Sequence, residues 1–344
     1  MRNILSLTKE EAEEIITSWG YPRYQASNLF KWLYTKRSRD FSSMTDLPKS
    51  LRERLSGEFR IEYPRVLQVS EAKDGTKKYL LSLEDGEAVE SVWIPERGHT
   101  TFCLSTQVGC RMGCRFCATA TMGLRRNLYW WEIVGQVLRL LEGTEGRVNI
   151  VLMGMGEPLD NWENVSRAIG ILKDWMGFSP RRITLSTVGL LPILRRALEE
   201  FPNLRVAVSL NFPDDERRTK FMPVNKKYPV GEIIKTLKEL PISRRERATV
   251  EYVLFKGLND SLRDAEALAL LLKGTKVKIN LIPYNENETF PWKRPSDEMV
   301  EEFASALRRK GYSVFVRYSK GNEIKAACGQ LRTSWGKGSQ PQGN

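Results

Sequence analysis

Residues 108–120 read VGCRMGCRFCATA and hold three of the chain's five cysteines, Cys110, Cys114 and Cys117, in a C-x3-C-x2-C spacing. Three thiolates at that spacing can each take one iron of a cubane [4Fe-4S] cluster and leave the fourth iron open to a non-protein ligand. Zinc is the rival reading: a structural zinc takes four ligands, and Cys103 or His99, the only histidine, could complete the shell. A closed zinc site is a staple, however, and a long α/β chain has core enough to fold without one. Arg111 and Arg115 flank the thiols, which argues against three cysteines merely buried in apolar surroundings.

Two further cysteines and one carboxylate take meaning only in company. Cys103 lies in TFCLST, Cys328 in NEIKAACGQL and Glu90 in AVESV. Singly, the thiols read as inert and buried, and the carboxylate as a solvated strand residue. For Cys103 and Cys328 to bond, their Cα atoms must approach within about 6 Å.

Composition bounds what these groups can serve. At 344 residues the chain suits one large α/β unit with an appendage better than several equal domains. It has no run of eighteen apolar residues and no apolar N-terminal stretch of signal-peptide type, which argues against membrane insertion and secretion and predicts a cytoplasmic location. Clustered cysteines in a reducing compartment point to metal or redox chemistry. A net charge of +12 and a pI near 9.4 point to a polyanionic partner, most simply nucleic acid.

The elements that must position the site follow from periodicity. Residues 1–59 read as a helical domain: TKEEAEEIITSWG opens on a Thr8/Glu11 capping box and stops at Gly20, and RYQASNLFKWLYTK and LPKSLRERLSGEF carry apolar residues at helical spacing. Residues 60–98 read as a β connector carrying Glu90, with Asp85-Gly86 turning one hairpin. Residues 99–318 alternate short β-branched runs with amphipathic helices near 131–142, 162–175 and 191–200 and beyond. Six such units predict an α/β fold with a parallel sheet, doubly wound or curled as a barrel. Residues 319–344 form a tail carrying Cys328, whose Gly- and Ser-rich last ten residues are expected to be mobile.

The polar groups recur just after the strands: the cysteine loop, then GMGEP, STVG, SLNF and PYN. In a parallel barrel the C-terminal strand ends share one mouth, so five groups are expected to converge on one cavity. Basic and aromatic side chains also cluster, Arg125 and Arg126 beside Trp130 and Trp131, and four basic residues in FKWLYTKRSR. Such surface could hold phosphates, though solvated charge and core aromatics account for most of it.

C-x3-C-x2-C with Phe116 before the last cysteine, followed by GMGEP, resembles the radical S-adenosylmethionine (SAM) superfamily. More narrowly, MTDLPKSLRERL, VESVWIPE, CLSTQVGCRMGCRFCATA, VLMGMGEPLDNWENV, ITLSTVG, VEYVLFKGLND, INLIPYN and AACGQL are similar to the RNA adenosine C2 methyl synthases, the RlmN family, over nearly the whole chain. The resemblance implies a partial (β/α)6 barrel with a helical N-terminal domain. It implies a [4Fe-4S] cluster on Cys110, Cys114 and Cys117, and SAM used twice per turnover. The SAM contacts would be Gly156 and Glu157 in GMGEP, Ser186 in STVG, Ser209, Leu210 and Asn211 in SLNF, and Asn285 in PYN. The family usually has His and Ala where this chain has Asn211 and Phe212.

Adenine C2 is electron-poor and does not attack the methyl group of SAM directly, which is why a radical route is needed. The resemblance implies that Cys328 is methylated by one SAM, that a 5′-deoxyadenosyl radical from a second takes a hydrogen from the S-methyl group, and that the carbon radical adds to C2. Glu90 would then take the C2 proton, and Cys103 would attack the sulfur of Cys328, forming a disulfide and releasing product. Implied partners are 23S rRNA, tRNA modified at the adenosine 3′ of the anticodon, and an electron donor such as a flavodoxin or ferredoxin; a monomer with no membrane partner is expected. Two readings stay open beside it: the sister C8 methyl synthase, and a zinc-stapled RNA-binding protein without catalysis.

Overall fold

The computed structural model describes residues 1–240, 247–287 and 289–333; the expected mobile end of the tail lies outside them. Helix α1 (Lys9–Ser18) begins at the expected capping box, with Glu11 N–H donating to Thr8 Oγ1 at 3.2 Å and Thr8 N–H to the Glu11 carboxylate at 2.7 Å. Helix α2 (Gln25–Phe30) runs on into a single π-helical stretch, Lys31–Thr35, where one longer helix is expected from spacing. Helix α3 (Lys49–Glu58) turns Leu51 and Leu55 inward. These helices pack on the rest of the chain rather than standing apart: Thr35 Oγ1 donates to the Trp175 carbonyl at 2.6 Å, and the Phe30 and Trp175 rings meet edge-on at 5.4 Å.

Strands β1 (Arg65–Glu71), β2 (Lys77–Ser82), β3 (Ala88–Glu96) and β4 (His99–Cys103) form an antiparallel meander. The β2–β3 hairpin turns at Asp85-Gly86, where Gly86 adopts φ +85°, a conformation that costs glycine nothing. From β4 onward every pairing within this sheet is parallel, through β5 (Val148–Leu152), β6 (Ile183–Thr187), β7 (Arg205–Ser209), β8 (Ala248–Leu254), β9 (Val277–Pro283) and β10 (Val314–Val316), while Gln107–Gly109 and the returning strand Leu124–Asn127 form a separate antiparallel pair around the cysteine loop. Strands follow one another in sheet order as in sequence. Each parallel step needs a crossover. Helices α4 (Trp130–Leu140), α5 (Trp162–Asp174), α6 (Leu191–Glu200), the pair α7 (Asp215–Phe221) and α8 (Val230–Glu239), α9 (Leu262–Leu271) and α10 (Asp297–Arg309) supply them.

Period-two alternation decides what each face of the sheet meets. Phe102, Ile150, Leu185, Val208, Val250 and Ile279 are fully buried against the helices. Their neighbours Thr101, Cys103, Asn149, Thr184, Glu251 and Asn280 line a cavity of about 1060 Å³ to which residues of every strand from β3 to β10 contribute. One cavity bounded by eight strands requires the sheet to curl around it, which makes it a partial barrel rather than a flat doubly wound sheet. The antiparallel connector is continuous with the barrel sheet and carries Glu90 to its rim.

Candidate active site

The cysteine loop is built on two close approaches. Gly109, at φ +78°, passes so near the returning strand that a Cβ there would lie 1.8 Å from the Gly123 carbonyl oxygen, and Cys110 N–H donates to that oxygen at 2.9 Å. Cys110 and Cys114 are buried and Cys117 is half-buried. Burial pushes the Cys110 thiol up to about 12, with the Cys117 charge adding to it; Cys114 is raised well above the ordinary value, by burial and then by Cys117 and Cys110. Cys110 and Cys114 both feel the charge of Cys117, so the three thiols lie close together, and a cationic metal group is what would offset that crowding. Among the described residues no three His, Cys, Asp or Glu side chains converge on a single ion. A cubane does not need that, because each thiolate takes a different iron. His99 opens the strand that Cys103 closes, about 13 Å of extended backbone away, so the two could not be alternative fourth ligands to one zinc. Arg111 turns away from the thiols to a bidentate pair with Asp160 at 2.8 Å on each bond.

GMGEP follows β5. Gly156, at φ +106°, brings the backbone against Gln107, whose Cβ would stand 2.7 Å from any added side chain. Glu157 is buried, and its two oxygens accept from Leu159 N–H at 3.1 Å and Val188 N–H at 2.9 Å. Burial lifts its carboxyl to about 7 against those hydrogen bonds. The carboxylate thus fixes the turn and the next strand's exit, with Asp160 as a second carboxylate nearby.

Ser186 and Ser209 lie together as expected, but both hydroxyls donate to one acceptor, Glu251 Oε2, at 3.1 and 3.5 Å. Leu210 is fully buried and its N–H donates to the Glu251 carbonyl. Asn211 departs from its expected role: at φ +62° it occupies the left-handed region that Asn tolerates better than most residues. Its amide is spent on structure, accepting from Val253 N–H at 2.9 Å and donating to Met222 Sδ at 3.3 Å. Asn285 donates to the Cys328 carbonyl at 3.1 Å, so it holds the tail.

That tail is tied on several sides. Ala118 N–H donates to the Gly329 carbonyl at 2.8 Å, Thr119 Oγ1 to the Leu331 carbonyl at 2.6 Å, and Gln330 Nε2 to the Glu286 carbonyl at 3.0 Å. The cysteine loop and the Cys328 loop are therefore one packed unit. Cys103 and Cys328 are free thiols lining the same cavity. Burial and then the nearby Cys328 charge raise the Cys103 thiol, while Cys328 stands exposed toward the cavity with Glu251 among its charged neighbours. Glu90 is buried on β3, with Oε1 2.9 Å from Lys78 Nζ and Oε2 accepting from Arg332 N–H at 2.9 Å.

Four residues escaped the sequence reading. Glu251 bears on both Cys103 and Cys328, and a lone carboxylate in the β-branched run TVEYVLF is the signal that could have found it. Lys78 is marked only by alternation on β2. Gln136, on the apolar face of α4, bridges Ser91 and both backbone groups of Ser105. Arg218 is fully buried, with carbonyl partners at Leu210 and Val188. In contrast, Arg125 and Arg126 are neutralised, by Glu87 at 2.7 Å and by Asp85 and Glu132 at 2.7 Å each. Trp130 is core, while exposed Tyr129 stacks on Trp131 at 4.3 Å.

The curled parallel sheet with a three-cysteine loop at its mouth is that of the radical SAM superfamily, whose family model matches residues 104–272. Such proteins use a [4Fe-4S] cluster and SAM. A second model, the ribosomal RNA large subunit methyltransferase N-terminal domain, matches residues 2–61. The chain is 46% identical to a dual-specificity RNA methyltransferase RlmN of Nitratiruptor sp., over 96% of this chain and 98% of that one. It is 45% identical to an enzyme of the same name from Geobacter sulfurreducens, over 96% and 92%. The crystal structure of a radical SAM methyltransferase from Sphaerobacter thermophilus superposes with a TM-score of 0.90 at 42% identity, covering 96% of this chain and 99% of that one. The chain belongs to the RlmN family of radical SAM RNA methyltransferases. No helix among the described residues is long and apolar enough to cross a membrane.

Proposed function

We propose that this chain methylates C2 of an adenosine in 23S rRNA, and of the adenosine 3′ of the anticodon in tRNA, through a methyl carrier on Cys328. Its relatives bear the name dual-specificity RNA methyltransferase. What carries the residue roles is one observation: Cys103 and Cys328 are free thiols on a shared cavity, and the loop bearing Cys328 is hydrogen-bonded both to the cysteine loop and to Glu90.

The cluster held by Cys110, Cys114 and Cys117, with SAM, supplies the radical that activates an otherwise inert methyl group. The chain's own residues do the rest. Glu157 offers a buried carboxylate to the ammonium of SAM, beside Gly156; Ser186, Ser209 and Leu210 set the wall around Glu251. Cys328 receives the methyl group and joins it to C2. Glu90 takes the C2 proton. Cys103 attacks the Cys328 sulfur: the S–S bond forms as the carbon–sulfur bond breaks, and the released carbon takes a proton to become the methyl product. An electron donor of the flavodoxin or ferredoxin class, and action as a monomer, complete the reading.

The test is mass spectrometry of nucleosides from 23S rRNA and tRNA after anaerobic reaction. Methyl at C2 is expected in both. Methyl at C8 alone would overturn the assignment in favour of the sister activity, and a colourless protein with one zinc would remove the catalytic reading altogether.

A further inference from the structure

Burial works against Glu90 as a base. It is buried on β3, and burial favours the neutral acid, which has no capacity to accept a proton. Its carboxyl is raised above the ordinary value by that burial, and two neighbours pull the other way. On β2, Lys78 Nζ stands 2.9 Å from Oε1, with its side chain only 15% exposed. From the tail, Arg332 N–H donates to Oε2 at 2.9 Å. On the remaining sides Glu90 meets uncharged groups: its N–H points to Met155 Sδ at 3.4 Å and its carbonyl accepts from Ser105 Oγ. Lys78 is thus the one charged side chain bearing on the carboxylate among the described residues.

Lys78 has a second contact. Its Nζ donates to the Lys325 carbonyl at 3.4 Å, three residues before Cys328. The hairpin just before β2 grips the same loop, Asp74 accepting from Gly321 N–H at 2.9 Å and Lys73 N–H donating to Glu323 at 2.5 Å. One ammonium therefore touches both the carboxylate and the loop that delivers the methyl carrier.

We propose that Lys78 is the positioning residue of this reaction: its ammonium keeps Glu90 an aimed, charged base and ties that base to the loop bearing Cys328. The inference rests on Glu90 being the base. When the C2–H bond breaks, its electron pair stays in the ring and the proton goes to Glu90; the odd electron of the adduct needs a one-electron acceptor, a capacity that a cluster held by Cys110, Cys114 and Cys117 would supply. Each Glu90 oxygen has one partner, Lys78 on Oε1 and the Arg332 N–H on Oε2, and keeps a second lone pair, so Oε2 can take the proton while the carboxylate stays held. Lys78 is the charged partner that holds the carboxylate in place.

The experiment follows breakdown of the protein–RNA adduct against pH on denaturing gels, with the full chain carrying its cluster. For Lys78→Met, release is expected to fall about tenfold or more at pH 7 and to recover as the pH rises toward 9, about tenfold for each unit by which the acid limb has moved. Lys78→Arg, which restores the charge, should return release to the parent profile. Iron content and the one-methyl mass gain on Cys328 should stay at parent levels, reporting an intact fold. If Lys78→Met does not assemble, Lys78→Gln gives the same reading. A parent-like pH profile in the uncharged variant, with Glu90→Gln blocked at every pH, overturns the role of Lys78 alone. Normal release in Glu90→Gln overturns the base assignment itself.

Discussion

Replacing Gln136 by Met keeps its volume and removes its hydrogen bonds. Gln136 is fully buried; its Oε1 accepts from Ser91 Oγ at 2.7 Å and Ser105 N–H at 2.9 Å, and its Nε2 donates to the Ser105 carbonyl at 3.0 Å. The Ser91 hydroxyl can rotate to seek another partner, but the two backbone groups of Ser105 cannot. Each unpaired buried group costs about 1–3 kcal/mol, so the variant should lose about 2–6 kcal/mol, a large share of a typical 5–15 kcal/mol total. Unfolding entropy of about 2.1 cal/mol/K per residue over 344 residues makes that a fall of about 3–8 °C in the thermal midpoint. Ser105 Oγ also holds the Glu90 carbonyl and accepts from Met155 N–H at 2.9 Å, so adduct breakdown should slow while iron content is kept. Calorimetry under anaerobic conditions reads the first effect and the gel assay the second. A midpoint within about 1 °C of the parent would refute the reasoning, since it would mean Ser105 finds other partners.

The other expectations are quickly put. Cys103→Ala should accumulate a covalent protein–RNA species on a denaturing gel, and its absence would remove Cys103 from the release step. Cys328→Ala should abolish methyl transfer yet still cleave SAM; retained methylation would end the carrier role. Gly154→Ala places a Cβ 2.6 Å from the Leu104 carbonyl, an overpacking of backbone on backbone worth about 1–3 kcal/mol. Gly170→Ala on α5 meets nothing within 4 Å and should instead stabilise by about 0.5–1 kcal/mol, so paired denaturation curves should move in opposite directions. Arg218→Met should weaken SAM binding about tenfold, about 1.4 kcal/mol, by freeing the Val188 and Leu210 carbonyls; unchanged binding by anaerobic calorimetry would show that those loops hold themselves.

Some of the site is local in sequence, and that part was legible. The cysteine spacing, the Thr8/Glu11 capping box, the Asp85-Gly86 turn and the strand-then-polar rhythm each depend on neighbours a few residues apart. A short-range pattern has the same meaning wherever the chain is placed. The family resemblance likewise lay in contiguous segments, and the family models and relatives bear it out.

Other features had no local signature. The sequence leaves Asn211 open to a ligand role, but its left-handed backbone and the Val253 amide claim its side chain for structure. It presents Arg125 and Arg126 as free charge, whereas Asp85, Glu87 and Glu132 neutralise them across a packed interface. Most of all, Glu90, Lys78 and Arg332 come from the connector and the far tail, and nothing in any one stretch says they share a carboxylate. Residue types and periodicity determined the strand–helix units of a parallel sheet and the cluster loop, and left a flat and a curled sheet both open. Only the curl of the sheet and the docking of the tail decided which charges are paired, because desolvation and ion pairing depend on distance in space, to which separation along the chain is no guide.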